Sequence, residues 1–168
     1  MLKPAQMYED DLQDKFNSIV GDLRYQYFFT TPDMTVDVRS VFLNKEDCYN
    51  FVSVENGKVI GFITYDRNYS TMTADGFAII SFKPNSATFA ADLRESFEEL
   101  TNSRVFNRIE IWTCADNPAF KKYLKLFDKM SYYTTYVHGP LHASQRLADG
   151  NLHNFYIIEL VAPELLEE

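Results

Sequence analysis

The residues best suited to chemistry gather where one stretch changes character. Arg108-Ile109-Glu110-Ile111-Trp112-Thr113-Cys114 sets Ile109, Ile111 and Thr113 against Arg108, Glu110 and Trp112, the period-2 signature of a strand. Ala115-Asp116-Asn117-Pro118 follows. Asp116 or Asn117 can cap a helix, and Pro118 suits its first position, where the missing N–H would be unpaired anyway. Phe120, Tyr123, Leu124, Phe127 and Met130 then recur at three- and four-residue steps, giving an apolar face to a helix of about three turns. A strand feeding a helix in this way offers free N–H groups and the positive end of a dipole. Such a junction suits a ligand's carbonyl or phosphate.

Other chemistries are poorly provided for. His138, His142 and His153 fall in one region with only Cys114 and Asp149 as further donors, at no spacing that matches a metal motif. No metal site is expected. Cys114, at a strand end, reads as a buried thiol rather than a nucleophile. The sequence has no nucleophile elbow, P-loop or paired-cysteine motif.

The elements that must position the junction read clearly in most places. Met1-Leu2-Lys3-Pro4-Ala5 is expected as a short edge strand. From Tyr8 to about Tyr27, Leu12, Phe16, Ile19, Val20 and Leu23 keep helical spacing, with Gly21 as a break between two helices and Glu9, Asp10 and Asp11 in the first turn. The aromatic cluster Tyr25, Tyr27, Phe28 and Phe29 is expected in the core, before a loop at Thr31-Pro32-Asp33. Residues 34–47 carry no clear signal beyond Val36, Val38 and the Val41-Phe42-Leu43 run. Tyr49–Val54 and Lys58–Tyr65 read as strands joined at Glu55-Asn56-Gly57, since Asn-Gly tolerates positive φ. A fourth strand over Ala74–Phe82 leads to a helix with the stripe Phe89, Leu93, Phe97 and Leu100, capped by Ser86 or Thr88. After the junction come a sixth strand over Tyr132–Val137, a long loop from His138 to Asn151 and a last strand over Phe155–Val161. The tail Glu164–Glu168 reads as solvated.

Composition bounds the function. A chain of 168 residues without repeats or linkers is expected to form one domain over 1–168. Apolar residues at 46% and charged residues at 24% fit a soluble globular protein rather than a disordered one. A net charge of −8 argues against a nucleic-acid partner, which needs a basic stripe, and is compatible with a cationic substrate. No apolar run approaches the ~20 residues of a membrane span, and Met1 to Asp14 lacks the apolar core of a signal peptide. Two cysteines are too few for a disulfide scaffold, so a reduced cytoplasmic setting is expected.

The junction also resembles a family. Strand, Asp116-Asn117-Pro118, helix and Leu126-Phe127-Asp128-Lys129-Met130-Ser131-Tyr132 is similar to the late motif of the GNAT superfamily, the acetyl-CoA-dependent N-acetyltransferases. That family typically writes a strand, Asn-Pro, a helix and Leu-Tyr-Glu-Lys-Leu-Gly-Phe. Val59-Ile60-Gly61-Phe62 after the tight turn resembles its third strand, and Leu147–Asn151 resembles the turn before its last strand. The resemblance implies an α/β fold with a mixed, mostly antiparallel sheet of about seven strands and about four flanking helices. It implies transfer of an acetyl group from acetyl-CoA, as co-substrate, to a primary amine on a small molecule or protein. A homodimer is compatible with it; nucleic acid and membrane are not among the implied partners.

Site residues follow from the same resemblance. The cofactor would lie along Ile80, Phe82, Ala87, Thr88, Phe89 and Ala90, with Asn117 on the pantetheine arm and Phe120 beside it. The family's loop there reads Arg or Gln, two residues, Gly, one residue, then Gly or Ala, because backbone N–H groups must approach the pyrophosphate. This chain instead reads Phe82-Lys83-Pro84-Asn85-Ser86-Ala87-Thr88, without glycine, and Asp92 is expected to set a negative charge within about a turn of the phosphates. Phe127 stands where the family has its acid tyrosine. Tyr123, one turn earlier on the same face, is the candidate acid, and Glu110, then Asp75, the candidate base. His142 is expected as a solvated loop histidine, with contact to an acceptor from that loop as the alternative. The competing reading is a degenerate member of the fold that binds a ligand or partner without catalysis, and another acyl group could replace acetyl.

Overall fold

Seven segments pair into one sheet in the order β1-β2-β3-β4-β5-β7-β6. They are β1 (Lys3–Pro4), β2 (Cys48–Glu55), β3 (Lys58–Asn68), β4 (Thr73–Ser81), β5 (Arg108–Cys114), β6 (Thr134–Arg146) and β7 (Leu152–Val161). All neighbours are antiparallel except β4 and β5. Among the described residues three α-helices flank the sheet: α1 (Glu9–Ser18), α2 (Ala87–Asn102) and α3 (Phe120–Phe127). A π-helical segment, Arg39–Leu43, and two short helical turns, Ala5–Tyr8 and Leu23–Tyr25, are the other helical pieces among the described residues. The computed structural model describes residues 1–28, 34–130 and 132–163. Phe29, the Thr31-Pro32-Asp33 loop, Ser131 of the late motif and the Glu164–Glu168 tail lie outside the described residues.

Each face of the sheet has its own core. Leu12 and Phe16 of α1 pack with Val52, Val59, Phe62 and Ile80 on one face. Leu93 and Phe97 of α2 meet Phe127 of α3, together with Ile63, Ile109 and Ile111, on the other. The period-2 pattern at β5 is realised as read: Ile109, Ile111 and Thr113 are buried, while Arg108 and Trp112 are exposed. The Asn56-Gly57 turn has φ of 52° and 77°, the paired left-handed conformation that twists a two-residue hairpin correctly.

Three expectations are corrected. The region 8–27 holds one α-helix and a three-residue helical turn, Leu23–Tyr25, rather than two helices; the chain turns at Gly21, where φ is 77°. α3 begins at Phe120, two residues after Pro118, and is only 8 residues long. The long loop expected from His138 to Asn151 is mostly strand. β6 continues to Arg146 through register shifts on either side of Leu141. As an edge strand largely exposed along its length, it has no buried face to write an alternating pattern, and an edge also tolerates Pro140. No helix among the described residues is long and apolar enough to cross a membrane.

Candidate functional site

The gap in the sheet comes from how β4 and β5 meet. They pair only at Thr73 with Arg108 and Ala74 with Ile109. Beyond those two steps, β4 runs on to Ser81 and β5 to Cys114 without a shared ladder. Main-chain N–H and C=O groups on the facing margins are left without a strand partner, and buried backbone groups seldom stay so without a ligand or water to satisfy them. The departure begins at a bulge: Gly76 and Phe77 together oppose Tyr65. Gly76 has φ of 62°, and a Cβ there would lie 2.9 Å from an oxygen of Asp66, so this bend needs glycine.

Because β4 and β5 are parallel, α2 and α3 start at the same edge of the sheet, one on each side of the gap. Both amino ends therefore look toward its mouth, the usual place for a ligand in such a sheet. At α2, Ser86 caps by accepting the Phe89 N–H at 3.2 Å, and Ala90 N–H bonds the Ser86 carbonyl at 3.1 Å. The helix itself provides no partner for the N–H groups of Ala87 and Thr88. The missing glycine is replaced at Asn85, whose φ of 55° puts a left-handed residue into the turn. Asparagine tolerates that conformation better than most side chains. Phe82 and Lys83 N–H both reach the Ile60 carbonyl, at 2.9 and 3.2 Å, which ties this loop to β3.

Charge at that corner differs from the expectation. Asp92 does not face the mouth: it is buried, accepts the Ser53 hydroxyl at 2.6 Å and pairs with the amino group of Met1. The carboxylate at the mouth is Glu55 from the hairpin, which pairs with Lys83 and accepts the Thr88 hydroxyl at 2.8 Å. Lys83 and then Thr88 hold its pKa below the usual carboxylate value. Beside it, Lys15, Lys58 and Lys83 converge on an open cavity of about 450 Å³ also lined by Val59, Ile60 and Phe82. Three lysines from three elements make a basic corner in an acidic chain. No local pattern announces it, because the residues lie 68 positions apart at the extremes.

The other expected cofactor residues divide. Ala87 and Ala90 are exposed at the amino turn of α2, with Thr88 half-buried between them. Phe89 is buried over Gly61, where any Cβ would run into its ring. Ile80 sits in the α1 core, and Phe82 meets Phe16 edge-on at 5.6 Å. Across the gap, Asn117 closes the turn before α3, its side-chain oxygen accepting Ala119 N–H at 2.9 Å. Phe120 stacks on Tyr156 at 5.0 Å and 15°. Thr113, in the half of β5 that β4 has left, is 4% exposed and its hydroxyl has no hydrogen-bond partner among the described residues.

The expected acid and base lie on opposite faces. Tyr123 belongs to the core beneath α3, and burial pushes its pKa up to about 12. Glu110 projects to the α1 face, where it accepts the Trp112 indole N–H at 2.6 Å and faces Arg108 at 3.3 Å. Asp75 shares that face. Burial first, then the charges of Asp66 and Glu110, raise its pKa, which makes it a better proton acceptor than an ordinary carboxylate.

At the tip of β5 stands a cluster that sequence reasoning missed. Tyr27, expected in the core with Tyr25 and Phe28, instead packs against Cys114, Leu147 and Phe155. Cys114 pairs with Phe155 on β7, and the next step, Ala115 N–H to Asn154 carbonyl at 2.9 Å, brings Asp116 against His153. The His153 ring lies between two carboxylates, with Nδ1 at 2.9 Å from Asp116 and Nε2 at 3.0 Å from Asp149. Asp116 and then Asp149 raise its pKa. His138 pairs with Glu159 at 2.8 Å, and His142 is exposed on β6 rather than in a loop.

No protein-family model matches this sequence, and no curated protein matches it. Solved structures do. The spermidine N-acetyltransferase of Vibrio cholerae, in complex with CoA and spermine, superposes with a TM-score of 0.71 at 17% identity, over 99% of this chain and 98% of that one. The microcin self-immunity acetyltransferase MccE, in complex with acetyl-CoA and AMP, gives 0.66 at 15% identity, over 95% of this chain and 91% of that one. Both are GNAT-superfamily proteins, and the fold of this chain is the GNAT fold.

Proposed function

We propose that the chain transfers an acetyl group from acetyl-CoA to a small cationic primary amine by direct attack. The observation that carries this reading is the parting of β4 from β5 after two residue pairs. An extended, amide-bearing arm can take up the unused main-chain groups there, and its phosphates can meet α2's amino turn and the basic corner. CoA and acetyl-CoA are bound by the two structural neighbours, which supports the same co-substrate here. The amine approaches from the α1 face, where Asp75 and Glu110 would draw an ammonium group and take its proton. Tyr123, from the helix face, returns a proton to the departing thiolate. Thr113 and the N–H groups at the mouth offer donors for the carbonyl oxygen.

Saturating CoA is expected to raise the melting temperature by several degrees, since a ligand at ~100 times its Kd stabilises by about 2.7 kcal/mol. Release of thiol on a panel of amines would then identify the acceptor. CoA binding without turnover on any amine would favour the non-catalytic alternative, for which the burial of Tyr123 and the Phe127 in the family's tyrosine position speak. No shift with CoA would remove both readings of the gap as a CoA site.

Glu55 competes with the phosphates for Lys83 and Thr88. Glu55→Gln is expected to tighten CoA binding, and Lys83→Met to weaken it, each by roughly 2- to 5-fold, the scale of an exposed ion pair. Calorimetric titration at low and high salt checks both signs, and the differences should shrink as salt rises.

A further inference from the structure

The cluster at the tip of β5 has a composition that general acid–base chemistry does not need. Cys114, Asp116 and His153 each bring one sulfur, oxygen or nitrogen atom to within 4.8 Å of the other two. The three come from the end of β5, the turn after it and the start of β7, and the register fixes how they meet. Cys114 lies opposite Phe155; His153, two residues earlier on the same strand, points to the same side. We infer that Cys114, Asp116 and His153 form a binding site for a divalent transition metal, zinc by donor type, with three protein ligands and a fourth position left to water or a ligand.

Two further features fit a metal better than an isolated ion pair. The first is Asp149, which holds the His153 Nε2 at 3.0 Å while Nδ1 faces Asp116. An ion taking the place of the Nδ1 proton leaves Nε2–H donated to Asp149, the carboxylate–histidine–metal arrangement by which outer groups orient a ligand. Asp149 is itself fixed. Its side chain accepts the Asn151 N–H at 2.9 Å, its own N–H reaches Gln26 at 3.3 Å, and its turn is closed by Leu147 N–H on the Asn151 carbonyl at 3.1 Å. The second is the sulfur. Cys114 is 1% exposed at the strand end, and the Asn117 N–H closes the turn on its carbonyl at 3.1 Å, which fixes the residue beside Asp116.

Sulfur, imidazole and carboxylate together favour zinc or its cobalt(II) surrogate over magnesium or calcium, which prefer oxygen alone. On binding, the metal replaces the thiol proton of Cys114 and the Nδ1 proton of His153, and both protons leave to solvent. The site sits on β5 and β7 rather than on the phosphate corner, so it stands whether or not the chain transfers acetyl groups.

The test uses chelator-treated full-length protein titrated with cobalt(II), followed by zinc competition. One equivalent should bind with a near-ultraviolet thiolate-to-cobalt charge-transfer band that zinc abolishes. Cys114→Ser should lose the band, and Cys48→Ser should keep it. His153→Gln and Asp116→Asn should weaken binding at least 10-fold, and Asp149→Asn by roughly 10- to 100-fold with the band retained. Far-ultraviolet dichroism and melting of each variant separate lost binding from lost folding, and His153, less deeply buried than Cys114, serves if the Cys114 variant does not fold. A wild-type protein that melts normally but shows no band overturns the proposal. So does a band that survives Cys114→Ser, or cobalt affinity unchanged in folded His153→Gln.

Discussion

Phe97→Ala is expected to destabilise the protein by about 3–5 kcal/mol, the range for removing a large buried aromatic ring. For a chain of this length that is a drop in melting temperature of roughly 6–20 °C. The side chain is 1% exposed and stands at the meeting point of three elements. It stacks on Phe77 of β4 at 5.5 Å and meets Phe127 of α3 edge-on at 4.9 Å. Phe77 belongs to the half of β4 that has left β5 and is laddered only to β3, so the ring column ties the gap side of that half to α2 and α3. The variant should therefore lose CoA affinity by more than its global destabilisation explains, measured well below its melting point. A loss of stability under about 1 kcal/mol, or unchanged CoA affinity, would mean that the parted strands are held by something else.

Tyr123→Phe is expected to lower kcat by roughly 10²- to 10⁴-fold with little change in KM, the scale of one general acid. The substitution keeps the ring that packs beside Phe127 at 6.3 Å, so folding should be preserved. A pH profile gives an independent check. An acid works only while protonated, and burial raises Tyr123 to about 12; any turnover by the wild-type protein should therefore show no alkaline loss assignable to this group until pH approaches that value. The same burial makes the proton hard to give up, which limits how far the group can assist a thiolate. A variant with native kcat would assign Tyr123 to the core alone and leave the thiolate to be protonated by water.

The sequence made the frame legible wherever burial writes a period. β5, the Asn56-Gly57 hairpin and the α2 stripe were readable because each has one face in a core and one in solvent. β6 was not, since an exposed edge strand leaves its pattern free. The gap was legible only as a consequence of Asp116-Asn117-Pro118 following a strand; its extent depends on the pairing of Thr73 and Ala74, which no local signal encodes. The basic corner was half legible. Ser86 was readable as a cap, but Asn85 taking glycine's conformation and Glu55 arriving from the hairpin depend on tertiary placement. Asp92 was misplaced for a similar reason: helical spacing gives its direction around α2, not the Ser53 hydroxyl waiting beneath it. Cys114, Asp116 and His153 could not be gathered from spacing, because the β5–β7 register brings together residues from two strands.

The two-step meeting of β4 and β5 also determines what kind of guest the protein can admit. A flat aromatic or a compact sugar would leave most of the exposed main chain unanswered. A slender molecule carrying amides at intervals close to those of a polypeptide could serve as a temporary eighth member of the sheet, joining its two halves for as long as it stays.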